Sequence, residues 1–186
     1  MEEYKRTAPL FSLCGLNCGL CPRYQTEGES KCPGCGGPDF HLKHPSCTII
    51  TCSKKHGSVE YCFECASYPC ERYSRTGEKD SFITYCNVVT DLAKAKTDGV
   101  EPYLTDLRAK IEILEFLINT YNDGRRKSYY CTAVNLLPLS DLREIMNEIQ
   151  EKIAPLNSSP KEKINEIVRL METRAKASNI ELKLRK

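Results

Sequence analysis

The sequence has 186 residues and a mass of 21.1 kDa, which is the size of one domain or of two small ones. Hydrophobic residues make up 40% of the chain and charged residues 28%, a balance that excludes an intrinsically disordered protein. Lys and Arg number 27 against 25 Asp and Glu. The resulting net charge of +2 excludes a nucleic-acid binder that relies on bulk positive charge, although not a local basic patch.

No stretch of the sequence approaches the roughly 18 consecutive apolar residues that a membrane span needs. The first six residues, Met-Glu-Glu-Tyr-Lys-Arg, lack the apolar core of a signal peptide. We therefore expect a cytoplasmic protein with no membrane partner.

Twelve cysteines are the most informative feature of the composition. Ten of them lie between Cys14 and Cys70, whereas Cys86 and Cys131 stand alone. We therefore divide the chain into a cysteine-rich metal-binding module over residues 1–80 and a helical domain over residues 81–186. Cys86 falls in a helical pattern and is expected to be a small buried hydrophobic residue.

The cysteine spacing in the module is typical of a thiolate metal site. Three CxxC pairs occur, and each can hold one ion from a single tight turn, so that two pairs complete a tetrahedron. The simplest nesting puts Cys18, Cys21, Cys32 and Cys35 on one ion, puts Cys47, Cys52, Cys62 and Cys65 on another, and leaves Cys14 and Cys70 over. An interleaved pairing also fits the spacing. The candidate metal ligands are thus Cys14, Cys18, Cys21, Cys32, Cys35, Cys47, Cys52, Cys62, Cys65 and Cys70.

We expect about two zinc ions in closed structural sites, because four thiolates leave no open position. His44 or His56 could complete a site, but the cysteines suffice, so all three histidines, including His41, are expected in solvated loops. Thiolates also suit iron–sulfur clusters. Cys14, Cys18 and Cys21 have the spacing of the radical S-adenosylmethionine cluster motif, although Leu20 replaces its aromatic residue and no βα repeats follow. A disulfide framework would need an oxidising compartment.

Three motifs together resemble the domain-of-unknown-function family numbered 3795. They are Cys14-Gly-Leu-Asn-Cys18-Gly-Leu-Cys21-Pro22, Cys32-Pro-Gly-Cys35 and Cys62-Phe-Glu-Cys65-Ala-Ser-Tyr68-Pro69-Cys70, and residues 122–138 are similar to the longer members. That family consists of small cysteine-rich bacterial and archaeal proteins to which zinc binding is ascribed. The resemblance implies metal binding and a prokaryotic cytoplasm, but neither a reaction nor a substrate.

From residue 81 onwards the apolar residues recur at helical spacing. The pattern predicts helices over residues 81–96, over 101–121, from Ser140 to 153, and from the capping box of Ser159 and Glu162 onwards. Residues 180–184 alternate and predict a short strand or an extended tail. The predicted fold class is mainly α, with a loop-rich zinc-binding module packed on a C-terminal bundle of about four helices.

The sequence contains no phosphate-binding Gly-rich loop, no HExxH motif and no serine elbow, so it does not decide whether the protein is an enzyme. The segment 125–130, Arg-Arg-Lys-Ser-Tyr-Tyr, and the cluster Lys54-Lys55-His56 could bind phosphate and stack a base. The segment could equally be a helix end with solvated charges and core tyrosines. We expect a zinc-binding interaction module for protein or nucleic acid; the alternatives are an iron–sulfur or thiol-redox protein, or a thiol enzyme that uses Cys14 or Cys70.

Overall fold

A computed structural model describes residues 4–44, 46–73 and 78–186. Over these ranges the chain is helical and has no strand, and a cysteine-rich region precedes a group of longer helices, which confirms the predicted fold class. Residues 1–3 of the N-terminal segment considered above lie outside the described ranges. None of the described helices is both long enough and apolar enough to cross a membrane.

The cysteine-rich region is built from tight turns and short helices. It contains the helices α1 (Phe40–Lys43) and α2 (Thr48–Lys55), and 3-10 turns at Cys18–Leu20, Cys62–Glu64 and Glu71–Tyr73. Gly34 has a φ of +81°, and a Cβ at this position would come within 2.4 Å of the Pro9 carbonyl oxygen. This glycine therefore allows the 32–35 turn to pack against the preceding chain.

The C-terminal region contains five helices. They are α3 (Val88–Asp98), α4 (Val100–Tyr121), α5 (Lys127–Leu136), α6 (Leu139–Glu148), which continues into a π-helical turn at Ile149–Ile153, and α7 (Pro160–Ala177). The helix α4 contacts each of the other four, so it is the central element of the bundle. Its buried side chains include Leu104, Leu107, Leu114 and Leu117.

One hydrophobic core joins the cysteine-rich region to these helices. Phe11, Leu20 and Tyr61 belong to the same buried cluster as the apolar faces of α3 to α7. A second, smaller cluster lies within the cysteine-rich region and consists of Leu13, Cys35, Phe40 and Ile50. The cysteine-rich region therefore packs on the bundle, while its own apolar core is small.

Three details differ from the sequence prediction. The first long helix begins at Val88 rather than at Ser81, because the Asp80 carboxylate accepts the Tyr85 N–H and holds the intervening chain in a turn. Cys86 lies in this turn and is exposed, so the expectation that it is buried was wrong. The bundle also has a fifth helix, α5, that the pattern did not predict.

The chain after α7 forms neither a strand nor a helix. It runs as an extended tail, which was one of the two predicted alternatives. The Arg185 backbone N–H and guanidinium both donate to the Asp80 carboxylate, at 2.8 Å each. The tail is thereby fixed to the turn that precedes α3.

Candidate metal centre

Four cysteines from three segments line one small cavity, which we call the four-cysteine cavity. They are Cys52 in α2, Cys62 and Cys65 in and directly after the Cys62–Glu64 turn, and Cys70 before the Glu71–Tyr73 turn. The cavity has a volume of about 30 Å³. Burial raises the pKa of the Cys62 thiol, and the neighbouring Cys70, Cys52 and Cys65 raise it further, whereas a hydrogen bond from Tyr73 opposes this rise.

The other six cysteines of the module line a second cavity of about 740 Å³, the six-cysteine cavity. They are Cys14, Cys18, Cys21, Cys32, Cys35 and Cys47. Tyr73 and Ile49 line both cavities and therefore lie between them. The Tyr73 hydroxyl donates to the Cys14 carbonyl oxygen at 3.3 Å, in addition to its contact with the Cys62 sulfur.

This grouping differs from the simplest nesting of the CxxC pairs. Cys70, which that nesting left over, lies with Cys52, Cys62 and Cys65, while Cys47 lies on the other cavity. Cys47 and Cys52 are close in sequence, but Cys47 precedes the first residue of α2 and Cys52 lies in its second turn, and they line different cavities. The position of each cysteine on α2, rather than the spacing between them, decides which cavity it lines.

The Ser12 hydroxyl lies 3.1 Å from the sulfur of Cys14 in the six-cysteine cavity. Burial raises the pKa of the Cys14 thiol to about 11, and the hydrogen bond with the Ser12 hydroxyl opposes that rise. Burial raises the pKa of the Cys18 thiol well above its usual value, and the neighbouring Cys35, Cys14 and Cys21 raise it further. Donors aimed at sulfur stabilise the thiolate and are typical of the surroundings of thiolate-bound metals.

A buried cation lies beside Cys35. The side chain of Arg6 has no solvent exposure, and its guanidinium donates to the carbonyl oxygens of Phe11, at 2.6 Å, and Glu60, at 2.9 Å. Burial raises the pKa of the Cys35 thiol, and the charge of Arg6 opposes this rise. The Tyr4 hydroxyl is buried and has no hydrogen-bond partner within the described ranges, whereas Arg6 Nε lies 3.2 Å from the Glu60 carboxylate and forms an ion pair with it. A thiolate at the neighbouring Cys35 would give the Tyr4 hydroxyl an acceptor.

The donor chemistry suits zinc, but the present positions of the thiols do not. Across residues 4–44, 46–73 and 78–186, no group of three or more His, Cys, Asp or Glu side chains is arranged so that it could hold a metal ion. Four sulfurs at the usual Zn–S distance of about 2.3 Å would leave no water-sized space between them. The thiols instead surround open cavities, so a single ion would have to draw them together. All twelve cysteines are free thiols, without disulfides.

The three histidines are exposed, as expected, but His41 lies within α1 rather than in a loop. His44 directly follows α1, and its ring stacks on Phe40 with centroids 4.6 Å apart. His56 lines the four-cysteine cavity, with its Nδ1 3.6 Å from Cys52 Sγ and 2.9 Å from the Cys52 carbonyl oxygen. His44 lines the six-cysteine cavity, so each cavity has one histidine in its wall.

The basic and aromatic segment at 125–130 lies at the start of α5 and matches the second of its two predicted structures only in part, because Tyr129 and Lys127 are half-buried. Tyr130 is fully buried and donates to the Tyr121 carbonyl oxygen at 2.9 Å, so its ring cannot stack a base. Lys127 donates to the Thr26 hydroxyl at 3.0 Å and thereby ties α5 to the cysteine-rich region. Lys54 and Lys55 are exposed at the end of α2.

The sequence analysis missed a polar network behind the first two cysteines. Asn17 donates to Asp91 at 2.9 Å and to Asn135 at 3.1 Å, and it accepts the Tyr103 hydroxyl at 2.8 Å. The Lys110 amine donates to the Leu137 carbonyl oxygen at 2.7 Å. The only sequence signal was the position of Asn17 between Cys14 and Cys18, because the other members lie more than seventy residues further along the chain.

Comparison with known proteins agrees with the resemblance over part of the chain. A family model described as "Protein of unknown function (DUF3795)" matches residues 10–75, which contain all ten clustered cysteines. The expected resemblance is thus confirmed for this region, while the likeness of residues 122–138 lies outside the match. No curated protein and no solved structure matches the chain.

Proposed function

We propose that this protein binds zinc in its cysteine-rich region and uses the metal-stabilised region to bind another macromolecule. The observation that carries the proposal is the convergence of Cys52, Cys62, Cys65 and Cys70 on one small cavity. Four thiols without a carboxylate are the donor set of a structural zinc site. When bound there, zinc would cross-link α2 to the chain that follows it and offer no open position for catalysis.

Residues around this cavity would assist metal binding. A hydrogen bond from the Tyr73 hydroxyl opposes the rise in the Cys62 pKa that burial causes, so it favours the thiolate that zinc requires. To donate fully to that thiolate, the hydroxyl would turn its single proton away from the Cys14 carbonyl oxygen. The thiols must close around the ion, because their present arrangement does not hold one. The metal-free protein should therefore have thiols that alkylating reagents reach, and zinc should protect them.

Elemental mass spectrometry of the full-length protein tests this proposal. We expect wild type to carry zinc, Cys70→Ser and Cys65→Ser to lose about one ion per chain, and the exposed, isolated Cys86→Ser to lose none. Cys47→Ser distinguishes the observed grouping from the nested one, because it should leave this site loaded. A wild-type protein without zinc, or loss of zinc from Cys47→Ser but not from Cys70→Ser, would contradict the proposal.

For the partner, the surface favours a protein. Leu42 and Phe82 have the largest exposed fractions among the described large apolar side chains, 74% and 63%, and both line the six-cysteine cavity. Exposed apolar side chains that line one cavity typically mark protein contacts, whereas the net charge of +2 gives little attraction to phosphates. Tight binding of a single-stranded RNA or DNA oligonucleotide at physiological salt would instead identify a nucleic-acid partner.

A further inference from the structure

The C-terminal tail is joined to the chain before α3 by an ion pair whose acid is buried. The Asp80 side chain has no solvent exposure, and the Arg185 guanidinium donates to both of its carboxylate oxygens, at 2.8 and 3.3 Å. The main chains meet as well, because the Asp80 N–H donates to the Arg185 carbonyl oxygen at 3.0 Å. A buried carboxylate is costly unless a cation and hydrogen-bond donors satisfy it, so Asp80 depends on the tail.

The same carboxylate shapes the segment that follows it, residues 81–87, which we call the 81–87 loop. Asp80 accepts the Tyr85 N–H at 2.8 Å and the Thr84 hydroxyl at 3.4 Å. The far end of the loop is fixed to α5, because the Asn87 side chain donates to the Asn135 carbonyl oxygen at 3.2 Å. The loop is therefore held at one end by the bundle and at the other end, through Asp80, by the tail.

The 81–87 loop forms part of the wall of the six-cysteine cavity. Four of its side chains line that cavity, namely Ser81, Phe82, Ile83 and Tyr85. The Arg23 guanidinium lies over the Phe82 ring, 5.0 Å from its centroid, and Arg23 belongs to the cysteine-rich segment 21–32. The loop thus reaches from the tail to the cysteine-rich region, and its position determines how open the cavity is on this side.

The tail follows a fixed path from α7 to Asp80. The Ile180 N–H donates to the Ala175 carbonyl oxygen at 2.8 Å, which turns the chain back directly after the helix. Ile180 and Leu182 are partly buried and pack against the large hydrophobic cluster of the bundle. The bundle therefore positions the tail, and the tail presents Arg185 to Asp80.

We propose that the C-terminal tail is a strap that holds the 81–87 loop against the six-cysteine cavity and limits how easily solutes reach the thiols there. If Arg185 is released, the buried Asp80 carboxylate loses its cation and turns to water, which frees the near end of the loop. The far end stays on α5, so the loop hinges outward and Phe82 leaves Arg23. This control of access does not depend on the zinc site proposed above, which uses other cysteines.

Thiol alkylation and hydrogen exchange of the full-length protein test the strap, with the metal content of all variants first matched by elemental analysis. In Arg185→Ala we expect alkylation of Cys14 and Cys18, followed by mass spectrometry, to be at least about threefold faster than in wild type. The amides of the 81–87 loop should exchange about tenfold faster. Alkylation of Cys65 in the four-cysteine cavity should keep its wild-type rate, because the loop does not line that cavity.

Lys183→Ala is the matched control, because it removes a cation from the same tail that makes an exposed ion pair with Glu181. It should leave both measurements at their wild-type values, whereas Arg185→Lys keeps a charge beside Asp80 and should reverse most of the change.

The amides of α4 report whether the bundle stays folded in Arg185→Ala. Faster exchange over α4 as well would mean that Arg185 stabilises the whole fold rather than one loop. Unchanged exchange over the 81–87 loop would mean that the tail does not hold it, and unchanged alkylation of Cys14 and Cys18 beside a freed loop would mean that the loop does not limit access. Each of these three results would overturn the strap.

Discussion

Asn17 shows how a single side chain links the cysteine loop to the bundle. Its amide bonds Asp91 in α3, Tyr103 in α4 and Asn135 in α5, at distances between 2.8 and 3.1 Å. Asn17 is itself buried, so each of these bonds satisfies a group that would otherwise be costly to bury. The loop between the first two cysteines is therefore held in place by three helices, independently of any metal.

Asp91 should make the stability of this network depend on pH. Burial raises its pKa from 3.8 to about 6, although Lys110, the Asn17 amide, the Tyr103 hydroxyl and Lys94 all oppose the rise. Because the folded pKa exceeds the unfolded one, the protonated carboxyl stabilises the fold below pH 4. That contribution is lost as the pH rises to about 6. The shift corresponds to at most about 3 kcal/mol.

Asp91→Asn keeps the acceptor for Asn17 and removes the charge. We expect the free energy of unfolding of this variant, measured by urea denaturation, to rise relative to wild type by about 1–3 kcal/mol between pH 4 and pH 6. Asp106→Asn is the control, because Asp106 makes an exposed ion pair with Lys94 at 2.7 Å and should change this difference little. A difference between Asp91→Asn and wild type that stays constant from pH 4 to pH 6 would contradict the assignment.

At the scale of the elements, the sequence pattern predicted the helices that have one apolar face. It did not predict α5, which is buried on nearly all sides. Residues 130–135 of α5 are consecutively buried, so no polar face reveals the helical period. The segment also contains aromatic and β-branched residues, which have modest helix propensity. Tertiary packing against α4, rather than local preference, accounts for α5.

Helix starts were predictable where a side chain caps the backbone. Ser159 accepts the Glu162 N–H, and the Glu162 carboxylate accepts the Ser159 N–H at 2.8 Å, which confirms the predicted capping box of α7. Ser140, by contrast, does not cap α6, which begins at Leu139 after Pro138. Its hydroxyl instead donates a hydrogen bond to the adjacent Asp141 carboxylate at 3.3 Å. A serine before an apolar run is therefore insufficient without the glutamate three residues later.

These two serines form a matched pair. Ser159→Ala should lower the free energy of unfolding by about 1 kcal/mol, because it leaves the first N–H groups of α7 without their acceptor. Ser140→Ala should change it by less than about 0.5 kcal/mol, as for most exposed substitutions. Urea denaturation of both variants at neutral pH measures the difference. Equal losses from the two substitutions would show that the box contributes nothing specific to α7.

At the scale of the whole molecule, the sequence identified the ten cysteines but not their distribution between two cavities. Spacing along the chain reports which thiols share a turn, as Cys62 and Cys65 do. Which turns meet depends on how α2 and the bundle position them, and Tyr73 then separates the two sets. The hydrogen-bond network around Asn17 could not be predicted from the sequence for the same reason, because its members come from four distant parts of the chain.

The two hydrophobic clusters differ greatly in size, and this difference predicts where metal removal acts. Phe11, Leu20 and Tyr61 are anchored in the large cluster that α3 to α7 share. The smaller cluster has four buried members, among them Ile50 of α2 and Cys35, which itself faces the six-cysteine cavity. Because four apolar side chains contribute little stability, the folded structure of α2 and the chain around it should depend on bound metal.

Hydrogen exchange of the full-length protein, before and after treatment with a chelator, tests this dependence. Once elemental analysis shows that the metal has gone, we expect amides in residues 46–60 to exchange at least tenfold faster, because α2 loses its thiolate anchor at Cys52. Amides in α4 and α5 should keep their protection, since Leu114, Leu117 and Tyr130 remain fully buried in the large cluster. Residues 10–20 provide the sharpest comparison: Phe11, Asn17 and Leu20 tie them to the bundle, so they should stay protected although they carry two of the cysteines. Unchanged exchange over 46–60 in the metal-free protein would show that α2 is stable without metal, and equal loss over α4 would show that the metal stabilises the whole chain as one unit.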